Sequence, residues 1–198
     1  MRKCILITGG CGFIGTNFVE YWLKQPNQDV TIVNLDLLTY AANNEARKKF
    51  TTQNDIHSYY FVQGNIDDKE LVSDLLNVYE PYAVINFAAE SHVDNSINNA
   101  APFIQTNING TFNLLECCRE YYKTNKDFKF IHISTDEVYG SLSFEDPAFT
   151  EETTYKPNSP YSASKAASDH LVRAYYHTYG LPTITTNCSN NYGPYQHK

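Results

Sequence analysis

Short, nearly uninterrupted apolar runs alternate along this chain with longer stretches in which apolar residues return every three or four positions. The runs Lys3–Thr8 (KCILIT), Val30–Leu35 (VTIVNL), Tyr59–Val62, Ala83–Phe87 (AVINF), the segment from Phe130 and Pro182–Cys188 predict six strands. Helical spacing predicts helices over Phe13–Lys24, from Asp67-Asp68 to about Tyr79, over roughly Pro102–Tyr122 and over Tyr161–Tyr179. Runs apolar on both faces suit strands buried from both sides. Their alternation with helices predicts βαβ units in an α/β fold, a doubly wound parallel sheet of the Rossmann type. Right-handed crossovers would cover both faces of that sheet. Ser141–Ser159, with its prolines and acids, is predicted to be a long loop, and loops of that length tend to carry function.

Composition narrows the partners. The 198 residues suffice for one domain with a sizeable core, and the residues 1–198 are expected to form a single unit. A net charge of −7 argues against non-specific nucleic-acid or anionic-membrane binding, yet a phosphate can still be held by helix N-termini. The five cysteines make no CxxC pair and the histidines no ligand spacing, so neither disulfide scaffold nor metal is expected. The basic start MRK is followed by too short an apolar run for a signal peptide, and no stretch suffices to span a membrane. A cytoplasmic protein is expected. Ser91-His92 with Asp94 is a poor hydrolase triad, because triad members meet in space rather than in consecutive sequence.

Three local patterns carry chemistry. ITGGCGFIG places Gly9, Gly10, Gly12 and Gly15 between the first strand and the first helix, as a dinucleotide-binding turn requires. Asp36 closes the second strand 21 residues after Gly15. A carboxylate there accepts from both ribose hydroxyls and repels a 2′-phosphate, which favours NAD over NADP. A glycine-rich turn with a capping Asp is the plain alternative. Secondly, Tyr161 and Lys165 stand four apart on one face of a predicted helix. Lowering a phenol from about 10 to about 7 takes roughly 4 kcal/mol, which a nearby ammonium and a cationic nicotinamide could supply together. Thirdly, the strand FIHIST runs into Asp136 and Glu137. Two adjacent carboxylates at a strand end repel each other and are costly to bury, so a solvated loop start competes with a chemical role.

TGGCGFIG, NFAAESHVDNSI, TNINGT, STDEVYG, YSASKAASDHLVRAY and NCSNNYGPYQ together resemble the extended short-chain dehydrogenase/reductases, and within them the nucleotide-sugar 4,6-dehydratases. The resemblance extends over nearly all of the chain, and the Thr-Asp-Glu triplet is its most specific part. It implies NAD as cofactor and a nucleotide sugar, dTDP-glucose, as substrate, with oxidation at C4, loss of water across C5 and C6, and return of the hydride to C6. It implies Tyr161 as base with Lys165 tuning it, Glu137 as base for the C5 proton, Asp136 as acid for the departing hydroxyl, and Thr135 beside the C4 oxygen. For the cofactor it implies Gly9, Gly12, Phe13, Ile14, Gly15, Asp36, Thr39, Asn65, Ile66, Ala88, Ala89, Ser91, Thr106, Tyr161, Lys165 and Asn191. Ser91, Thr135 and Asn190 would face the substrate.

The chain departs from the family pattern at Asn65, commonly Asp, and at Leu37 and Ala42, more often Lys and Gly. Family members are considerably longer, so most of the substrate's nucleotide pocket is expected beyond Lys198, and turnover by this chain could be impaired. A homodimer through the two long helices is a further implication. A 4-epimerase and a non-catalytic NAD-binding fragment remain the alternatives.

Overall fold

A computed structural model describes residues 3–25, 29–53 and 58–196. Six parallel strands, β1 (Lys3–Thr8), β2 (Val30–Asp36), β3 (Tyr59–Gln63), β4 (Ala83–Asn86), β5 (Lys129–Thr135) and β6 (Thr183–Cys188), form one sheet in the order β3-β2-β1-β4-β5-β6. The helices are α1 (Phe13–Leu23), α2 (Asn44–Gln53), α3 (Lys69–Tyr79), α4 (Val93–Asn98), α5 (Ala101–Phe103), α6 (Thr111–Tyr122) and α7 (Pro160–Tyr179). A π-helical segment, Ile104–Gly110, joins α5 to α6.

The central strands are apolar because both faces are covered. In β1, Ile5 and Ile7 join Val19 of α1, Ala46 and Phe50 of α2, and Ile32 and Ile85 of the neighbouring strands in one core cluster. Leu6 points the other way, into a cluster with Val33, Val84, Phe130, Val72 of α3, Leu114 of α6 and Val172 of α7. Replacing Leu114, which is fully buried, with alanine should cost about 2–5 kcal/mol. Urea denaturation followed by far-UV circular dichroism will read this as a lowered midpoint at unchanged slope; a shift under ~1 kcal/mol would show that this face of the sheet is not the main core.

Three of the predicted helices form with small changes in their ends, while the fourth, Pro102–Tyr122, runs as α5, the π-helical segment and α6. Asp68 caps α3 by accepting from Leu71 N at 3.0 Å. Ser159 and Ser162 make a reciprocal capping box at the start of α7, Pro160 takes the first turn, and Gly180 (φ +68°) ends the helix. Two helices were not expected. In α2 only Ala46 and Phe50 enter the core, four residues apart on an otherwise polar helix, so its apolar stripe is too thin to read. The single buried residue of α4 is Ser96, a hydroxyl bonded to Val93 O at 2.6 Å and to Tyr161 N at 3.2 Å.

Strand order reverses between β1 and β4. Their C-terminal ends diverge there into chain segments on opposite faces, which opens a crevice. The glycine loop leaves β1, Asp36 ends β2, and Ala88 and Ala89 follow β4, all at this edge.

Candidate active site

The glycine loop is built by close backbone contacts. Gly9 has φ +70°, and a Cβ there would lie 2.5 Å from Ala88 N. A Cβ on Gly15 would lie 2.3 Å from Gly9 O, since the first turn of α1 packs directly on the strand exit. Gly12 differs: its Cβ would meet only Gly9 O, at 3.4 Å. Steric need inside the chain therefore explains Gly9 and Gly15 but not Gly12. Gly12 is the N-cap of α1 with no side-chain cap, so the first N–H groups of an 11-residue helix face the crevice without partners of their own helix.

Beneath the loop, Asn34 accepts from Gly10 N at 3.0 Å and donates to Tyr59 Oη at 2.8 Å, a buried support that the sequence did not mark. Asp36, largely buried, accepts from Cys11 N and Leu38 N, both at 2.8 Å, one on each carboxylate oxygen. Burial raises its pKa and these backbone donors oppose the rise. A carboxylate has about four acceptor sites, so lone pairs remain for two ribose hydroxyls.

A cavity of about 370 Å³ runs from this loop to α7. Gly9, Gly12, Phe13, Ile14, Gly15, Asp36, Thr39, Asn65, Ile66, Ala88, Ala89, Ser91 and Thr106 all line it, and Tyr161 and Lys165 close its far end. Asn190 and Asn191 do not line it. Both are exposed in the segment after β6, where Asn191 bonds Ser189 O, and Gln196 of that segment reaches the cavity instead. Glu90 and His92 also line it and went unpredicted. Glu90 is fixed by a two-way backbone pairing with Asn107, N–H to Oδ1 and Nδ2 to O, both 2.9 Å. Asn107 belongs to the π-helical segment, whose extra residue per turn re-aims side chains. A long regular helix was expected there, which is why this pair was missed.

Thr135, Asp136 and Glu137 do not line the cavity but follow beyond Tyr161: Thr135 is the last residue of β5, and Asp136 and Glu137 open a 3₁₀ turn (Asp136–Tyr139). Thr135 Oγ1 caps that turn by accepting from Glu137 N at 3.2 Å. Both carboxylates are half-buried rather than solvated. Burial, then the charge of Asp136, raises the pKa of Glu137. The same cluster acts on Tyr161. Its phenol is pushed up to about 12 by burial and by Glu137, against a hydrogen bond from Thr135. The expected lowering toward 7 is thus not a property of the chain by itself. Lys165 does not turn its ammonium on the phenol but donates to Ile133 O at 2.8 Å.

Behind this pair lies His132, fully buried between Asn86 Nδ2 (3.2 Å) and Ser168 Oγ (3.2 Å). Burial, then the charge of Lys165, lowers it to about 4, so its 3.4 Å approach to Asp169 is that of a neutral imidazole rather than an ion pair. A base with a depressed folded pKa binds fewer protons folded than unfolded. Stability is then full above the unfolded pKa near 6.5 and falls as pH drops toward 4. Between pH 7 and pH 5 this single group should cost about 2 kcal/mol. Urea denaturation at the two pH values should show this loss, with His132→Gln cutting it to under ~1 kcal/mol; equal losses in both chains would refute it.

A six-stranded sheet in the 3-2-1-4-5-6 order, a glycine loop at its switch point and a tyrosine–lysine pair across the crevice define a Rossmann-type α/β fold, the class built around dinucleotides. The chain is matched over residues 6–198 by the family model described as GDP-mannose 4,6 dehydratase, and it belongs to that family. It is 57% identical over 195 residues to the dTDP-glucose 4,6-dehydratase of Xanthomonas campestris pv. campestris, covering 96% of this chain and 54% of that one. Among solved structures, the dTDP-glucose 4,6-dehydratase of Bacillus anthracis in complex with NAD is 47% identical, with a TM-score of 0.84 over 98% of this chain and 57% of that one. The UDP-glucose 4-epimerase of Thermus thermophilus in complex with NAD is 31% identical, with a TM-score of 0.82 and the same coverage, 98% and 57%. The fold is shared with both enzyme types and the sequence stands nearer the dehydratases. The chain spans about half the length of the curated relatives it matches.

Proposed function

We propose that residues 1–198 form the NAD-binding unit of a nucleotide-sugar 4,6-dehydratase acting on dTDP-glucose. The observation that carries this is the place of Tyr161: it lines the end of a cavity whose other end is the glycine loop, and Thr135 and Glu137, outside that lining, act on its phenol. The cradle fits the cofactor: Gly12 leaves room at the N-terminus of α1 that the chain's own packing does not require, and Asp36 is held for a ribose by two backbone N–H groups. Bound there, NAD supplies a hydride acceptor for C4, a hydride donor for C6 and a positive charge near the phenol. Tyr161 takes the proton of the C4 hydroxyl, and Thr135 bonds the C4 oxygen. Glu137 removes the C5 proton; its raised pKa makes it a stronger base than an exposed carboxylate. Asp136 protonates the departing C6 hydroxyl, which leaves as water. An epimerase needs no such carboxylate pair.

Mass spectrometry of dTDP-glucose incubated with the chain and NAD tests the reading. Loss of one water without net NADH supports it; an unchanged mass sinks the claim of dehydratase activity. For the cofactor, Asp36→Asn should weaken NAD about 10- to 100-fold and reduce discrimination against NADP, as expected for a lost charged hydrogen-bond acceptor. Calorimetric titration with both dinucleotides reads this, and an unaltered NAD affinity would remove Asp36 from the ribose site.

A homodimer through the two long helices is part of the proposal. Exposed Ile104 and Phe112 on the first of them support it, and sedimentation as a monomer at micromolar concentration would reject it. The cytoplasm is the proposed compartment, because all five cysteines are free thiols and four are buried.

A further inference from the structure

Lys165 is a cation almost without solvent: it is 3% exposed, and its ammonium donates to a neutral carbonyl, Ile133 O. A buried ammonium lacking a counter-charge gives up its proton. The groups facing it are Tyr161 on its own helix, His132 from β5, Cys188 from β6 and Asp169 one helical turn on. Asp136 and Glu137 lie beyond Tyr161. His132 accepts from the Asn86 amide at Nδ1, so its Nε2 carries the proton and the ring is neutral. Asp169 remains as the carboxylate behind the lysine.

Its setting is unusual for an acid. Asp169 is 5% exposed, and its Oδ2 accepts from Ser134 Oγ at 2.8 Å and Tyr155 Oη at 3.0 Å. Its Oδ1 is buried, with His132 Nε2 at 3.4 Å and no closer donor among the described residues. On its outer side Asp169 borders a second cavity with Glu151, His170 and Arg173.

We propose that Asp169 is a positioning residue for the tyrosine–lysine pair: its buried carboxylate is the counter-charge that keeps Lys165 protonated in the crevice, and the Ser134 and Tyr155 hydroxyls hold it there. Burial lowers Lys165, and the charge of Asp169 is the largest influence opposing that fall, which then ends at about 8. The assignment deepens the reading of Lys165 given above and takes its functional meaning from it. The charge relation itself needs neither NAD nor a sugar.

The test is a ¹³C-lysine NMR titration of the whole chain, with the Lys165 signal identified by its loss in Lys165→Arg. In Asp169→Asn the Lys165 midpoint should fall by about one to two pH units, and Asp169→Glu should restore most of it. Tyr155→Phe, which leaves the charge, should move it far less. A midpoint in folded Asp169→Asn that stays within about 0.3 unit of the parent overturns the proposal. Should that variant fail to fold, the unsubstituted chain decides: the Asp169 carboxyl ¹³C signal must shift through the pH at which Lys165 titrates, and a flat signal overturns the proposal equally. A dehydratase assay that fails while these titrations succeed would count against the proposed function alone.

Discussion

Alanine at Gly15 will abolish NAD binding and lower stability, whereas alanine at Gly12 will abolish NAD binding with stability nearly unchanged. In the interior of a helix alanine is ordinarily favoured over glycine by roughly 0.5–1 kcal/mol. At Gly15 that gain is overridden, because the new methyl would lie 2.3 Å from Gly9 O and 2.8 Å from Gly10 Cα. Gly9 cannot retreat. Its N–H is bonded to Leu35 O at 2.9 Å, and its carbonyl accepts from Gly12 N at 3.1 Å. Overpacking against a fixed backbone costs about 1–3 kcal/mol, and the loop must distort to accept it. Gly12 sits at φ −73°, open to any residue, with a single ordinary contact at 3.4 Å. A methyl there costs the fold little but stands where a pyrophosphate must approach the N-terminus of α1. Calorimetric NAD titration beside thermal unfolding separates the two. Gly12→Ala binding NAD like the parent would refute the assigned phosphate site, and Gly15→Ala with parental stability would refute the packing account.

This contrast also shows where sequence reading stops. Glycines at 9, 10, 12 and 15 look equivalent in the chain; only the fold distinguishes a glycine needed by its neighbours from one free for a ligand. Asp36 was legible because its position, the end of the second strand, follows from strand pattern and glycine spacing alone. The Thr135–Glu137 break was legible because polar residues interrupt a buried strand. By contrast, Asn34 under the loop and Asn107 beside Glu90 are single amides inside otherwise ordinary segments. Their role depends on which backbone group folds over them, a long-range fact: Asn107 and Glu90 lie 17 residues apart. The thin apolar stripe of α2 and the brevity of α4 hid two helices for the same reason, too few core residues to make a period. The spacing of Tyr161 and Lys165 places two side chains on one face but does not say where each one's polar end points: Lys165 donates to Ile133 O.

Under the proposed function, Tyr161→Phe and Glu137→Gln will stop the reaction at different points, and the second will leave its oxidised stage visible. Removing the phenol takes away the acceptor for the C4 hydroxyl proton, so turnover should fall by about 10²–10⁴ and no absorbance at 340 nm should develop on mixing with NAD and dTDP-glucose. Glu137→Gln keeps Tyr161, Lys165 and the nucleotide cradle. It also removes the negative charge that, after burial, does most to raise the phenol's pKa. Proton loss from Tyr161 is therefore no harder than in the parent, and oxidation at C4 should proceed. What fails is removal of the C5 proton: water is retained, deuterium from solvent does not enter C5, and the 340 nm absorbance persists instead of decaying. Overall turnover again drops by about 10²–10⁴, so only the stage reached tells the variants apart. The amide preserves the volume and the capped 3₁₀ turn, in which Glu137 contributes its backbone N–H to Thr135 Oγ1. A fold change is therefore not the expected cause. Persistent 340 nm absorbance in Tyr161→Phe, or deuterium at C5 in Glu137→Gln, would exchange or dismiss the two assignments.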